Sequence, residues 1–472
     1  MIKIYNSAAR KKQEFVPLDD GKVSMYVCGP TVYGHPHIGH ARSAYIFDFI
    51  RKYLRYRKFE VTFIRNITDV DDKIINKAKV EYPDEDIKSA VKKVAQEYFL
   101  SYKQCMDSLG IEEPDREPKA TEYIDKMQDF ISVLLDKGFA YETGGDVYFK
   151  VAKAKDYGNL SGQSIEMMMA GRRIAHDESK KDPLDFALWK KAKEGESCWM
   201  SPWGPGRPGW HIECSVMSSD ILGDEFDIHG GGIDLIFPHH ENEIAQSKGA
   251  GKKFARYWIH NGLLTINKEK MAKSLGNFFA IPDVLKRYPA SVLKLLYLGT
   301  HYSNPVDFSW DKMEEAKKAY ERIIIAVNRL ENALGDAKTD KKNVKDSDDN
   351  IFRGRFIECM DDDFNTAKAL AVLFNIIAES NRILDSGRSL ELSKLESFYI
   401  VIKEMSEVFG LTLKESLEGS ISESEIEEKL RQRLLFKKER KFKEADIIRS
   451  NLLKKGIILE DTRNSTSWRR KI

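Results

Sequence analysis

No stretch of this 472-residue chain is apolar for the length that a membrane-spanning helix needs. Neither sign of charge dominates: 76 lysines and arginines face 74 acidic residues, a net charge of +2. Binding of a polyanion must therefore rest on local patches. Cysteine is scarce too. Cys28, Cys105, Cys198, Cys214 and Cys359 are odd in number and scattered, which excludes a disulfide framework and leaves some of them to act as ligands. The amino-terminal MIKIYNSAARKKQEF has no apolar core behind its charges, so a targeting signal is not expected. These absences describe a cytoplasmic protein of roughly two to four domains.

What is present concentrates in Met25 to Arg42, MYVCGPTVYGHPHIGHAR. A short β-prone run, Met25 to Val27, meets a Gly/Pro turn from Gly29 to Gly34, and a helix opens at His37 and His40. A helix start offers unpaired backbone N–H groups and the positive end of its dipole, so this order suits a phosphate. His37 and His40 share one helical face and both can point at that anion. Cys28 ends the strand, where open α/β sheets place their ligands.

From Ile38 to about Arg57 apolar residues recur at helical spacing, and FEVTFIRN follows as a buried strand, completing a βαβ unit. In TDVDDK, Thr68 to Lys73, the acidic residues read better as a cap for a helix from about Asp72 than as a metal loop. Amphipathic helices from Ser89 to Lys137 give way to short strands, GDVYFKV and DFALWK, as expected of an insertion between two half-sheets. The second half starts near Glu225 with a strand, the triple glycine Gly230 to Gly232, and a helix; further strands are expected at Arg256 to His260 and Leu263 to Ile266. Pro282 to Asn332 reads as mainly helical, and Gly335 to Asn350 as a charged linker. Helices resume from Ile351 to Phe409, and a polar hinge, Lys414 to Glu428, precedes a basic end.

Two tempting motifs fail. Gly204, Gly206 and Gly209 spell GxGxxG, but Pro205 and Pro208 lie inside it and no strand is expected before it. Gly249, Gly251 and Lys252 lack the spacing and the hydroxyl of a phosphate loop.

A helix starting at Pro238 would put His239 and Glu243 on one face, able to share a zinc ion. Alone, such a pair is more often a surface ion pair. It gains weight because Cys28 and Cys214 both end in the same expected region. Spacing does not choose among His211, His229, His239 and His240, and Cys198 and His211 stand as outer candidates. Cys105 and Cys359 read as small buried hydrophobes. Lys270 and Lys273, with Ser274, sit on a loop after a strand and could clamp a leaving pyrophosphate.

HIGH at His37 to His40 and KMAKS at Lys270 to Ser274 resemble the two signatures of class I aminoacyl-tRNA synthetases. The segments CGPTVYGHPHIGHAR, NITDVDDKI, SPWGPGRPGWHIECS, FDIHGGGIDLIFPHHENEIAQS and KMAKSLGNF, with ADIIRSNLLKKGIILEDT and Trp468, resemble the cysteinyl-tRNA synthetase family along essentially the whole chain. The resemblance implies an α/β fold, with a Rossmann-like parallel-sheet catalytic domain in two halves, 1–112 and 214–262, split by a connective insertion, 113–213. It further implies a lysine-loop and stem-contact region at 263–310, a helical bundle at 311–413 and a small anticodon-binding domain at 429–472. It carries over Cys28, Cys214, His239 and Glu243 as ligands of one zinc ion. Thr31, His37, Gly39, His40, Lys270, Lys273 and Ser274 fall on the ATP site, with His37, His40, Lys270 and Lys273 catalytic. Trp210, His229 and Asp234 lie around the amino acid. Ala272 departs from the usual serine but keeps both lysines. L-cysteine, Mg2+ with ATP, and tRNA(Cys) are the implied partners, met by a monomer without a membrane. The nearest rival is a tRNA-independent cysteine ligase acting on a small amine, and a more distant one a non-catalytic tRNA-binding or zinc-storage protein. The first would lack the basic end, where Arg431, Arg433, Lys437, Lys438, Arg440 and Arg449 suit phosphates.

Overall fold

A short hairpin, β1 (Lys3–Asn6) with β2 (Lys11–Glu14), precedes β3 (Lys22–Val27), whose Val23, Met25, Tyr26 and Val27 are all buried. Such a nearly continuous apolar run belongs to a strand covered on both faces. In the computed structural model, which describes residues 1–164, 180–270, 278–335, 349–386, 392–413, 423–454, 457–461 and 466–470, two compact units separate. The first comprises Met1–Val284, Tyr297–Ser309 and Ile357–Ala367; the second comprises Leu285–Leu296, Trp310–Phe356 and Lys368–Ile472.

In the first unit, β3 continues into α1 (Ile38–Tyr56) and returns as β4 (Glu60–Arg65), parallel to β3 with Val27 opposite Arg65. Two helices follow, α2 (Asp72–Glu81), capped by Asp71 through Lys73 N at 2.9 Å, and α3 (Ile87–Ser108). The chain then leaves the sheet. Helix α4 (Ile124–Asp136) packs with an antiparallel sheet of β5 (Ala140–Thr143), β6 (Asp146–Phe149), β7 (Phe186–Lys191) and β8 (Gly206–Pro208) around a core that includes Phe130, Leu134, Phe149, Leu188 and Trp189. It rejoins through α5 (Trp210–Leu222), β9 (Glu225–Gly232), α6 (Glu241–Ala250) and β10 (Phe254–Asn261). The parallel order is β10-β9-β3-β4, so the two halves meet at β3 and β9. A ligand crevice is expected outside the strand ends at that seam.

The strand expected from about Glu225 runs on through the triple glycine, which lies inside β9. A Cβ on Gly230 would stand 2.3 Å from the Phe47 ring of α1, so glycine is needed there for close helix–sheet packing. Pro238 does open a helical stretch: only Phe237, at the cis Phe237–Pro238 bond, departs from helical conformation, and the short turn Ile236–His240 runs on into α6. The strand expected at Leu263 to Ile266 is present, in a small sheet apart from the parallel one. At Gly262 a Cβ would lie 2.4 Å from the Asn304 backbone, and that approach turns the chain away. It forms β11 (Leu264–Ile266), paired with β12 (Glu269–Lys270) and in parallel with β13 (Val306–Phe308), a strand inside the region expected to be mainly helical.

The second unit is helical. Helices α7 (Trp310–Leu334) and α8 (Leu392–Val408) bury Tyr320, Ile323, Val327 and Leu330 on one and Leu395, Phe398, Val401 and Ile402 on the other, at the spacing of one helical stripe. Its last part is α9 (Glu423–Lys438), α10 (Phe442–Lys454) and a hairpin, β14 (Ile457–Asp461) with β15 (Thr466–Arg470), around Ile426, Leu430, Leu452, Ile457 and Leu459. Among the described residues no helix is long and apolar enough to cross a membrane.

Candidate active site

His37 is the N-cap of α1, in extended conformation. Its Nδ1 accepts from the backbone N–H of Gly39 at 3.1 Å and of His40 at 3.3 Å, and His40 Nδ1 accepts from His37 N at 3.3 Å. Because both Nδ1 atoms accept, this pattern assigns the proton of each neutral ring to Nε2. The two rings stack with centroids 3.8 Å apart. With no acidic side chain in the first turn, the helix start keeps its positive end available to an anion. One turn later Arg42, 1% exposed, donates to the carbonyls of Gly262, Leu263, Tyr302 and Asn304, the Leu263 bond at 2.6 Å. Burial pulls its pKa down to about 10, and the four carbonyls compensate by fixing α1 to the turn between β10 and β11. Arg42 closes the HIGHAR segment, but no spacing in the sequence marks it as the tether to these carbonyls.

Beside this helix start, four segments converge. Cys28 follows β3, Cys214 lies in α5, His239 in the turn before α6, and Glu243 in the first turn of α6. Cys28 Sγ is 3.5 Å from Cys214 Sγ and 3.6 Å from Glu243 Oε1; His239 Nε2 is 3.0 Å from the same carboxylate oxygen. The thiols are free, so their approach is not a disulfide. One donor atom from each of these four residues lies within 4.8 Å of the others. A second set within the same limit replaces Cys214 and His239 by His229 and His240. Burial pushes both thiols and the Glu243 carboxyl up from their usual values, with His229 opposing the shift at Glu243, and holds His239 well below its own.

Outer partners orient these groups. His229 Nε2 meets Glu243 Oε2 at 2.8 Å, and the His229 ring stacks on Trp258 with centroids 4.3 Å apart. His211 Nδ1 lies 3.0 Å from His239 Nδ1, while the indole of Trp210 stacks on His239 with centroids 4.2 Å apart. His240 Nδ1 pairs with His260 Nε2 at 2.8 Å, and His260 Nδ1 with Ser7 Oγ at 2.7 Å. Asn66 joins the two thiol segments: its Oδ1 accepts from Gly29 N at 2.9 Å and lies 3.7 Å from Cys214 Sγ. Thr68 donates to Glu213 at 2.7 Å, next to Cys214 in sequence. Asn66, Glu213 and His260 were missed as positioning residues, because a lone buried polar residue leaves no periodic signal.

One cleft of about 360 Å3 is lined by Cys28, Thr31, His37, Gly39, His40, Trp210 and Asp234. His229 is fully buried behind Glu243 rather than in the cleft wall. Cys198 and His211 differ: His211 touches His239, whereas Cys198 is absent from both donor sets. The Lys270 backbone pairs with Thr265 at the end of the β11–β12 hairpin; Lys273 and Ser274 lie outside the described residues.

A family model described as the class I (C) tRNA synthetase catalytic domain matches residues 14–318, and a DALR-domain model matches residues 355–414. Together with the parallel sheet and the capped HIGH helix, this makes the chain a class I aminoacyl-tRNA synthetase. Curated cysteine–tRNA ligases of Halalkalibacterium halodurans (48% identical, covering 99% of each chain) and Carboxydothermus hydrogenoformans (47% identical, covering 99% of this chain and 100% of that one) are similar throughout. The chain belongs to the cysteine–tRNA ligase family. A solved methionyl-tRNA synthetase of Mycobacterium tuberculosis bound by methionyl-adenylate shares the fold, with a TM-score of 0.62 and 13% identity over 82% of this chain and 90% of that one.

Proposed function

We propose that this chain activates L-cysteine with Mg2+ and ATP to cysteinyl-adenylate and transfers the cysteinyl group to the 3′-terminal adenosine of tRNA(Cys). The observation that carries the reading is a cluster of two thiols, an imidazole and a carboxylate lining or adjoining the same cleft as a self-capped helix start. In the first step an oxygen of the cysteine carboxylate attacks the α-phosphorus, the bond to the β-phosphate breaks, and pyrophosphate leaves. The α1 start with Thr31, Gly39 and the Nε2–H donors of His37 and His40 faces the phosphates, while Lys270 and Lys273 neutralise the departing pyrophosphate and Ser274 donates a hydrogen bond to it. Asp234 holds the substrate ammonium against the wall formed by Trp210.

The donor set fits zinc, since two soft sulfurs, one imidazole nitrogen and one carboxylate oxygen already lie within reach of a single centre. Cys28, Cys214, His239 and Glu243 would hold it, with His211 and His229 fixing the two harder ligands. When bound, zinc supplies a soft Lewis acid that favours a thiolate over the neutral hydroxyl of serine. That selectivity matters because an apolar pocket separates near-isosteres by only about 10- to 200-fold. The division into split catalytic domain, insertion, stem-contact region, bundle and anticodon-binding end, and a cytoplasmic location, belong to the same reading. The DALR match and the basic residues of α9 and α10 favour tRNA over a small amine as acceptor. Cysteine-dependent ATP–pyrophosphate exchange followed by charging of a tRNA(Cys) transcript tests it. Exchange with charging is expected; exchange without charging would reject the tRNA, and no exchange would reject the enzyme.

A further inference from the structure

A second cavity, of about 370 Å3, lies where α3 meets the loops after β4 and before α4 and the Ser197–Trp199 segment of the insertion. Helix α3 supplies one face at helical spacing: Lys88, Val91, Lys92, Ala95, Gln96 and Phe99. The floor is apolar and carries two aromatic groups, Phe99 and Trp199, while Lys88, Lys92 and Lys119 stand around it. None of these three lysines forms an ion pair among the described residues; the Lys119 ammonium rests over the Phe99 ring, 4.7 Å from its centroid. Two acids also line the cavity; both oxygens of Asp69 and one of Glu122 accept hydrogen bonds from the cavity's own backbone and side chains. Asp69 accepts from Thr121 N at 2.9 Å and Thr121 Oγ1 at 2.6 Å, and Glu122 accepts from Lys119 N at 3.2 Å.

We propose that this cavity is a nucleotide site separate from the catalytic cleft, taking one base against Phe99 and Trp199 and its phosphate among Lys88, Lys92 and Lys119. Stacking surface beside cations is the pairing that suits a base joined to a phosphate, and the cavity is within the size range of small-molecule sites. Its wall is shared with the reaction site. Ile67 and Asp69 line the cavity, while Thr68 between them accepts from Val32 N at 3.2 Å, donates to Pro30 O at 3.1 Å and bonds Glu213 at 2.7 Å. An occupant therefore presses on the loop that supports the Gly29–Val32 turn and the Cys214 segment. The nucleotide comes either free from solution or as one unit of the single-stranded acceptor end of the tRNA; only the second source rests on the function proposed above.

The test uses the full-length, metal-replete chain with its catalytic cleft saturated by a non-hydrolysable cysteinyl-adenylate mimic, and AMP as the probe in equilibrium dialysis. A free-nucleotide source predicts additional binding of AMP that the Lys88→Glu/Lys92→Glu variant weakens by about tenfold or more. A tRNA source predicts no such AMP binding, but a KM for tRNA raised by about tenfold in the same variant, with cysteine-dependent exchange unchanged. Lys93→Glu, one position along α3 and outside the cavity, is the control for the general field. The proposal is overturned if neither effect occurs, or if Lys93→Glu reproduces the effect in full. Loss of exchange or charging in the wild-type chain would instead count against the function itself.

Discussion

At the seam of the parallel sheet, Cys214, His239 and Glu243 are buried with Cys28 beside them, brought from four separate segments and held by further buried polar groups. In the last part of the chain the arrangement is reversed. There α9 and α10 close over a small apolar core, while Leu435, Phe442, Ile447 and Leu453 are each more than half exposed and the basic residues lie along the same helices. Burying ionisable groups is costly, and the seam offsets that cost by pairing nearly every group with another. Under the proposed function, such pre-organisation would serve the selection of cysteine over the similar serine. An end that meets a long polyanion gains from exposed charge and contact area. The contrast is between a buried, mutually paired cluster and an exposed helical surface that carries cations and apolar side chains together.

Breaking the seam should have the larger effect on amino-acid activation. Cys214→Ser removes a donor itself and should lower bound zinc and cysteine-dependent exchange by more than the roughly 100-fold that loss of an outer partner costs. Elemental analysis beside the exchange assay measures both. His229→Asn leaves all four donors but frees the Glu243 oxygen it holds, so a drop of about 10- to 100-fold in metal affinity is expected from titration against a chelator. At the other end, Leu430→Ala should cost about 2–5 kcal/mol of local stability by opening a cavity in a small core. That variant should lose tRNA charging while its exchange rate stays at the wild-type level. If its exchange fell as far as that of His229→Asn, the two regions would not be separable in this way.

The sequence made the first βαβ unit legible because its apolar runs alternate cleanly between strand and helix periods, and Cys28 and His37 fall at the joints. It also marked His239 and Glu243 as neighbours, and they meet at 3.0 Å across one helical turn that starts after the kink at Phe237. Choosing His239 over His211, His229 and His240 was beyond spacing. That choice came with the family resemblance, and the structure adds that His211 touches His239 while His229 holds Glu243. The tether from Arg42 to the Gly262–Leu263 carbonyls was invisible because its partners are backbone atoms about 220 residues away.

In the proposed reaction the cleft has a side that selects the amino acid's thiol and a side that holds ATP, joined by the turn after Cys28. Measuring the KM for cysteine and for ATP in the exchange reaction of Cys28→Ser tests that division most directly. A large rise in the KM for cysteine with little change in that for ATP is expected. Equal losses for both substrates would contradict it.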